Sequence, residues 1–337
     1  MLKTDWSIAL ALYREDGTPI GRLPVEVDWE PAHQWVRHLA LCRGVVVRRR
    51  GAAEVRPLWR RAGGPAISGF RVAVETDGQP GEVACDFPAT YFRSVALALS
   101  GPLVDAGHLA SGETFRYLAL AEPAPSNGGA AASAGFVVQE VTPAPVLHAG
   151  SLDGLRASAT VAGEAAADEV PAFVPRGVLG EITSCTRRAS PLETGGALVG
   201  HLNRDAAAQT VFSVITAQLP AEHTEASAVR LAFTADTWSA MRRALDARGR
   251  GEVLLGWWHS HPVREWCRQQ KCPEATHERC ALGHDCFSEY DRAVHRTVFP
   301  GAHSVALVAN DVSDTNVTVS VFGWSLGMLG PRSLYVT

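Results

Sequence analysis

The sequence predicts an α+β protein of two domains, a mixed α/β domain followed by a single sheet flanked by helices, and three observations predict it. Short β-patterned runs alternate with amphipathic helical runs in both halves. A stretch dominated by Ala, Pro, Gly and Ser, including "PSNGGAAASAG" and "GEAAADEVPAFVP", separates the halves as a linker would. The chain of 337 residues also exceeds the size at which single cores stop growing. These observations divide it into a first domain at 1–122, a linker with a possible strand at 123–174, and a second domain at 175–337.

In the first domain "SIALALY", Asp16-Gly17 and "PVEVDW" read as a hairpin, because Asp-Gly supplies the positive φ of a tight turn. A helix is expected from Glu30 to Cys42, with Pro31 in its first turn and Trp35, Leu39 and Cys42 on one face. "GVVVRRR", "SGFRVAVET" and "GEVACDF" read as strands, "FPATYFRSVALAL" as a second helix, and "FRYLALAEP" as a last strand. In the linker one apolar patch, "FVVQEVTPAPVLH", is a strand candidate for either neighbour.

In the second domain Gly177–Arg188 reads as a helix with Val178, Ile182 and Cys185 at helical spacing. "GGALVGHL", "QTVFSVITAQL" and "AVRLAFT" read as strands, the last leading into a helix from Ala235 to Arg248 behind the N-cap Thr234. "VLLGWWHSHP" is a buried strand ending at proline, "SEYDRAVHRTVF" a helix, and "HSVALVAND" and "NVTVSVFGW" closing strands.

A net charge of −4 argues against nucleic acid or an anionic membrane as the main partner, since both need a basic field. Arg48-Arg49-Arg50 and Arg60-Arg61 read as solvated faces. No stretch approaches the roughly 20 apolar residues that cross a bilayer, and a cytoplasmic protein is expected. Seven cysteines, four of them between Cys267 and Cys286, suit a metal site in a reducing compartment better than a disulfide framework.

The residues able to do chemistry gather at the end of "GWWHSHP". Alternate residues of a strand share a face, so His259 and His261 present two imidazoles to one point, although strand-end histidines are commonly plain surface or capping residues. Asp291, one turn into the following helix, could add a carboxylate oxygen, while Ser288-x-x-Asp291 also has the form of a capping box. Glu193 precedes two glycines at the head of a strand. It is either a surface residue or a general base beside a metal.

Glu193, His259-Ser260-His261-Pro262 and Ser288-x-x-Asp291, in that order, resemble the JAMM (MPN-plus) metalloproteases over about residues 175–325. The resemblance implies a cytidine-deaminase-like sheet flanked by helices. It implies a catalytic zinc on His259, His261 and Asp291, Glu193 as the proton carrier, and Ser288 as a hydrogen-bond donor to the oxyanion. It further implies a ubiquitin-like protein or its conjugates as partner, cleaved after a Gly-Gly tail, with other enzymes of such a conjugation pathway as possible company. Gly195 and Gly196 would then serve either the close approach of that tail or strand packing. A sulfur-carrier-protein adduct as substrate and a non-catalytic scaffold remain the alternatives.

The departure from that pattern is spacing. From His261 to Ser288 there are 27 positions, where the family has roughly a third as many. The excess, an insert at 263–287, carries Cys267-x4-Cys272 and Cys280-x5-Cys286, with His277 and His284 as possible substitutes. A second, structural zinc on Cys267, Cys272, Cys280 and Cys286 is the first expectation, ahead of free thiols and disulfides. Nothing in the first domain points to chemistry, which leaves a binding or assembly role. Cys42 and Cys85 are expected in its core.

Overall fold

A computed structural model describes residues 5–45, 47, 53–76, 81–124, 145–164, 168–222, 224–227, 231–280 and 286–337. It forms two compact units, Met1–Ala40 with Val45–Ala144, and Leu41–Gly44 with Pro145–Thr337.

The first unit begins with the expected hairpin, β1 (Trp6–Arg14) and β2 (Pro19–Val25). Gly17 takes φ 89° at its turn, and Thr18 N–H donates to Asp16 Oδ1 at 2.8 Å. Helix α1 spans Glu30–Cys42 as its proline and periodicity predict. Next come β3 (Ala53–Trp59), β4 (Ile67–Glu75) and β5 (Glu82–Pro88), a three-stranded antiparallel sheet in that order. The expected "GVVVRRR" strand lies largely outside the described residues, and Val45 and Val47 are not in a strand. Strand β3 was not anticipated, because Pro57 lacks the N–H that an interior strand donates; β3 is an edge strand, where that loss is tolerated. The expected second helix is instead a 3-10 turn (Ala89–Phe92), α2 (Arg93–Ala98) and α3 (Ser100–Asp105), since Pro102 cannot continue the hydrogen-bond ladder. β6 (Phe115–Pro123) pairs with β1, giving the order β2-β1-β6. Phe70 and Phe87 stack at 5.1 Å in this unit's core, with Trp29, Tyr91 and Phe92 around them. Neither cysteine expected in this core lies there: Cys42 belongs to the second unit and is buried in its core, and Cys85 is partly exposed.

The second unit starts earlier than composition suggests. Residues expected as linker form β7 (Leu147–Ala149), α4 (Leu152–Ser158), β8 (Thr160–Ala162) and β9 (Ala172–Val174), and every residue of β9 is buried. The Ala-rich composition hid them, because a three-residue strand carries too little sequence to show a period. The apolar patch thus contributes β7 to this unit, and its residues 136–144 lie outside the described set.

Helix α5 (Arg176–Ala189) leads into β10 (Gly195–Asp205) and β11 (Thr210–Pro220). A two-stranded hairpin follows, β12 (Glu225–Ala226) with β13 (Leu231–Ala232), then α6 (Ala235–Arg248), which Thr234 caps through Thr237. The "AVRLAFT" strand is thus only the short β13, with 228–230 outside the described residues. Last come β14 (Val253–His261), α7 (Val263–Gln269), a 3-10 turn (Glu274–Arg279), α8 (Glu289–Val298), β15 (Val305–Asp311), β16 (Val317–Ser325), β17 (Met328–Pro331) and β18 (Leu334–Val336). Ten strands make one mixed sheet ordered β17-β16-β15-β14-β10-β11-β9-β18-β8, with β7 beside β10. The protein is therefore α+β as expected, with one large sheet and the small β12–β13 hairpin in the second unit. No helix among the described residues is long and apolar enough to cross a membrane.

In the central strands glycine is a steric requirement. A Cβ on Gly196 would sit 2.3 Å from Leu219 O and 2.7 Å from Trp258 Nε1, and one on Gly195 would sit 2.5 Å from Trp258 O and 2.7 Å from Leu231 Cδ2. Strand packing accounts for both. Gly196→Ala is expected to lower stability by about 1–3 kcal/mol, the usual cost of overpacking, read as a fall in urea midpoint at unchanged slope.

At the foot of β14 the Glu252 carboxylate is buried against Arg248, whose Nη2 donates to it at 2.8 Å, and it also accepts from Thr216 Oγ1. The Arg248 hydrogen bond chiefly holds its pKa down, from 4.5 to about 2. A depressed carboxylate contributes stability above its unfolded pKa and loses it as pH falls through the folded one. Wild type should therefore lose on the order of 3 kcal/mol between about pH 4.5 and 2 from this group. Acid titration of urea stability should show that component missing in Glu252→Gln.

Candidate metal centre

Three adjacent strands set the site. β14 runs antiparallel to β10 with Gly195 opposite His259, and parallel to β15 with His261 opposite Asn310. The register brings Glu193, just ahead of β10, to the strand end that carries both histidines.

Ser260, between them, clamps that approach. Its N–H donates to Thr194 O at 2.8 Å, and its Oγ accepts from Thr194 N–H at 2.9 Å. Glu193 N–H donates to Ser227 O at 2.9 Å, so the residue is fixed by backbone on both sides. Its side chain is buried. Burial first, then the negative charge of Asp291, raises its pKa from 4.5 to about 8.

His259 and His261 are 2% and 4% exposed, and their Nε2 atoms face each other at 3.0 Å. Burial lowers both pKa values to about 3, which keeps the rings neutral as a metal ligand must be. Asp291 Oδ1 lies 3.5 Å from His259 Nε2. The other oxygen, Oδ2, accepts from Ser288 N–H at 2.8 Å and Ser288 Oγ–H at 2.7 Å, while Asp291 N–H returns a bond to Ser288 Oγ at 3.2 Å. The capping box and the ligand are thus one carboxylate with an oxygen for each task. The hydroxyl of Ser288 is engaged with Asp291.

One donor atom from each of His259, His261 and Asp291 falls within 4.8 Å of the others. Two neutral nitrogens facing each other and one carboxylate oxygen, all buried, fit a zinc ion in three-ligand coordination with one position left for water. Around them the Trp257 indole stacks on His259 at 4.8 Å, and its Nε1–H donates to His295 Nδ1 at 3.2 Å. Trp266 lies against His261, and Phe287 is buried beside His259.

Sequence reasoning missed Ser260, His295 and Asn310. Asn310 is fully buried, donates from Nδ2 to Ser320 Oγ at 3.1 Å, and acts to raise the His261 pKa against the larger effect of burial. Asn310 Oδ1 and His261 Nδ1 are both buried without a hydrogen-bond partner. A lone amide at the end of the apolar run "VALVAND" was the available signal. Its meaning depends on β15 lying beside β14.

The cysteines do not form one group. Cys267 hydrogen-bonds with both Cys272 and Cys280, whereas the surroundings of Cys286 are the Asp291 and Glu193 carboxylates. Burial and those two charges raise the Cys286 pKa. The expected quartet is therefore not assembled, because Cys286 is two residues from Ser288 and is carried to the metal centre with it. His284 lies outside the described residues.

Residues 175–265 match the family described as prokaryotic homologs of the JAB domain, a span that contains Glu193, His259 and His261 and ends before Ser288 and Asp291. No curated protein matches the sequence. Among solved structures the chain is similar to protein DSY2949 from Desulfitobacterium hafniense, at 17% identity over 49% of this chain and 92% of that one, with a TM-score of 0.33. Within the second unit, residues 175–265, which carry two of the three donors, are thus similar to the prokaryotic homologs of the JAB domain.

Proposed function

We propose that the second unit is a zinc-dependent peptidase or isopeptidase acting on the extended C-terminal tail of a ubiquitin-like protein. The observation that carries this is a buried carboxyl, Glu193, raised to about 8, beside a buried His-His-Asp donor set. A non-catalytic scaffold needs neither the base nor the complete donor set.

His259, His261 and Asp291 would hold the ion. When bound there, zinc lowers the pKa of water and polarises a carbonyl oxygen. Glu193 is the proton carrier. A carboxyl titrating near neutral pH takes a proton as water adds to the scissile carbonyl carbon, then gives it to the departing amine as the C–N bond breaks. Ser288 holds Asp291 in place and would donate to substrate only by releasing it. Asn310 would be a positioning residue: its orphaned Oδ1, by accepting from the equally orphaned His261 Nδ1–H, would fix the tautomer that leaves Nε2 free for the metal.

The substrate class rests on the hairpin. β12 and β13 pair only with each other among the described residues, beside Glu193, and an extended tail can add to such an edge.

Incubation with a ubiquitin-like fusion ending in Gly-Gly tests the reaction. Glu193→Gln should keep zinc and lose on the order of a hundred- to ten-thousand-fold in kcat/KM. Asp291→Ala should lose metal and activity together, and a chelator should abolish cleavage. Equal activity in wild type and both variants would sink the assignment. Asn310→Leu should weaken zinc binding by about 10–100-fold in competition with a chelating dye, while Asn310→Asp, which keeps the acceptor, should retain most of it.

A further inference from the structure

We propose that Cys267, Cys272, His277 and Cys280 form a second divalent-metal site, a three-thiolate, one-imidazole zinc site built without Cys286. It shares no donor with the catalytic set, so either can fail alone.

Geometry carries it. Cys267, in the last turn of α7, is 1% exposed and packs with Val263 and Val312 in a small core that also takes in Cys272 and Cys280. Its thiol hydrogen-bonds with both of the others. The chain is folded to bring them there. Lys271 takes φ 56°, Cys272 N–H donates to Cys267 O at 2.9 Å, and Cys280 N–H donates to His277 O at 3.1 Å.

His277 supplies the independent observation. In a turn with few apolar residues its ring is 4% exposed. Nε2 faces Cys272 O at 3.3 Å, and Nδ1 is buried without a partner. One ring nitrogen on a carbonyl and the other left free is how a ligating histidine is oriented. A buried orphan nitrogen on a ring that rests against the Cys272 backbone otherwise has no compensation.

The chemistry selects the ion. Thiolates with imidazole favour zinc over the hard cations magnesium and calcium. As a free thiol Cys267 is unreactive, since burial and its two thiol neighbours push it up to about 12. A contacting dication removes that proton, and three protons leave to solvent on binding. His259, His261 and Asp291 are the described donors that fall within 4.8 Å of one another. The thiols and the His277 ring are set more widely than that, so a bound ion would have to draw them in around the buried Cys267. The result anchors the segment after His261 to Val312, just past β15.

Metal analysis of the full chain and its cobalt(II) spectrum test this. Wild type should hold two zincs and Asp291→Ala one, and both should give a thiolate-to-cobalt charge-transfer band. Cys286→Ser should keep that band and both metals. Cys272→Ser and His277→Ala should each hold one metal fewer than wild type. A wild type that holds one zinc, lost in Asp291→Ala with no cobalt–thiolate band, would overturn the site. Loss of the band in Cys286→Ser with retention in His277→Ala would overturn its ligand set. Because the Asp291→Ala spectrum needs no cysteine variant to fold and no activity, its outcome is independent of the peptidase proposal.

Discussion

The metal centre depends on how the carboxylate of Asp291 is divided. Two hydrogen bonds from Ser288 fix one oxygen and close the first turn of α8, and that fixes where the other oxygen points, towards His259. The helix N-terminus also favours the negative charge it carries. One turn further along, His295 receives the Trp257 indole that lies flat on His259, so a single helix orients a donor oxygen and the wall behind a donor nitrogen. The Ser260 bonds to Thr194 do the same for Glu193 from the opposite side of the sheet register. These positions are set by hydrogen bonds of side chains with neighbouring side chains and main-chain groups, which is why a site built from four separate segments can be rigid.

Such a site works against the fold that holds it. Two histidines kept neutral down to about pH 3, and a carboxyl raised to about 8, mean that the surroundings disfavour the charged forms of His259, His261 and Glu193 alike. A bound dication reverses that balance, since it rewards neutral nitrogens and negative oxygens together. The central sheet supplies the stiffness needed meanwhile. All seven residues of β15 are buried, as are the last seven of β14.

Much of this was legible beforehand, for physical reasons. Helices α1 and α6 declared themselves through Pro31, the Thr234 cap and 3.6-residue periodicity. The central strands showed as apolar runs, and Glu193, His259, His261, Ser288 and Asp291 as a spaced motif. What escaped notice depends on neighbours in space. β3 contains Pro57 and is tolerated only as an edge, while β7, β8 and β9 are too short to show a period inside an Ala-rich stretch. Asn310 acquires a role only once β15 is known to lie parallel to β14. Cys286 was grouped by spacing with the other cysteines, yet its nearness in the chain to Ser288 decides its surroundings. His277 was the substitute that spacing could not choose.

The two ends of the segment between His261 and Ser288 are each held by something other than the segment itself, β14 on one side and the cap of α8 on the other. Loop-closure entropy then governs what an insertion costs here, and it grows only with the logarithm of length. Tripling such a connection adds about 1 kcal/mol, (3/2)RT times the logarithm of three. The length of this connection is therefore nearly free to change without moving His259, His261 or Asp291. Whatever the segment acquires, including a metal of its own, can be gained or lost at small thermodynamic expense to the chemistry on either side of it.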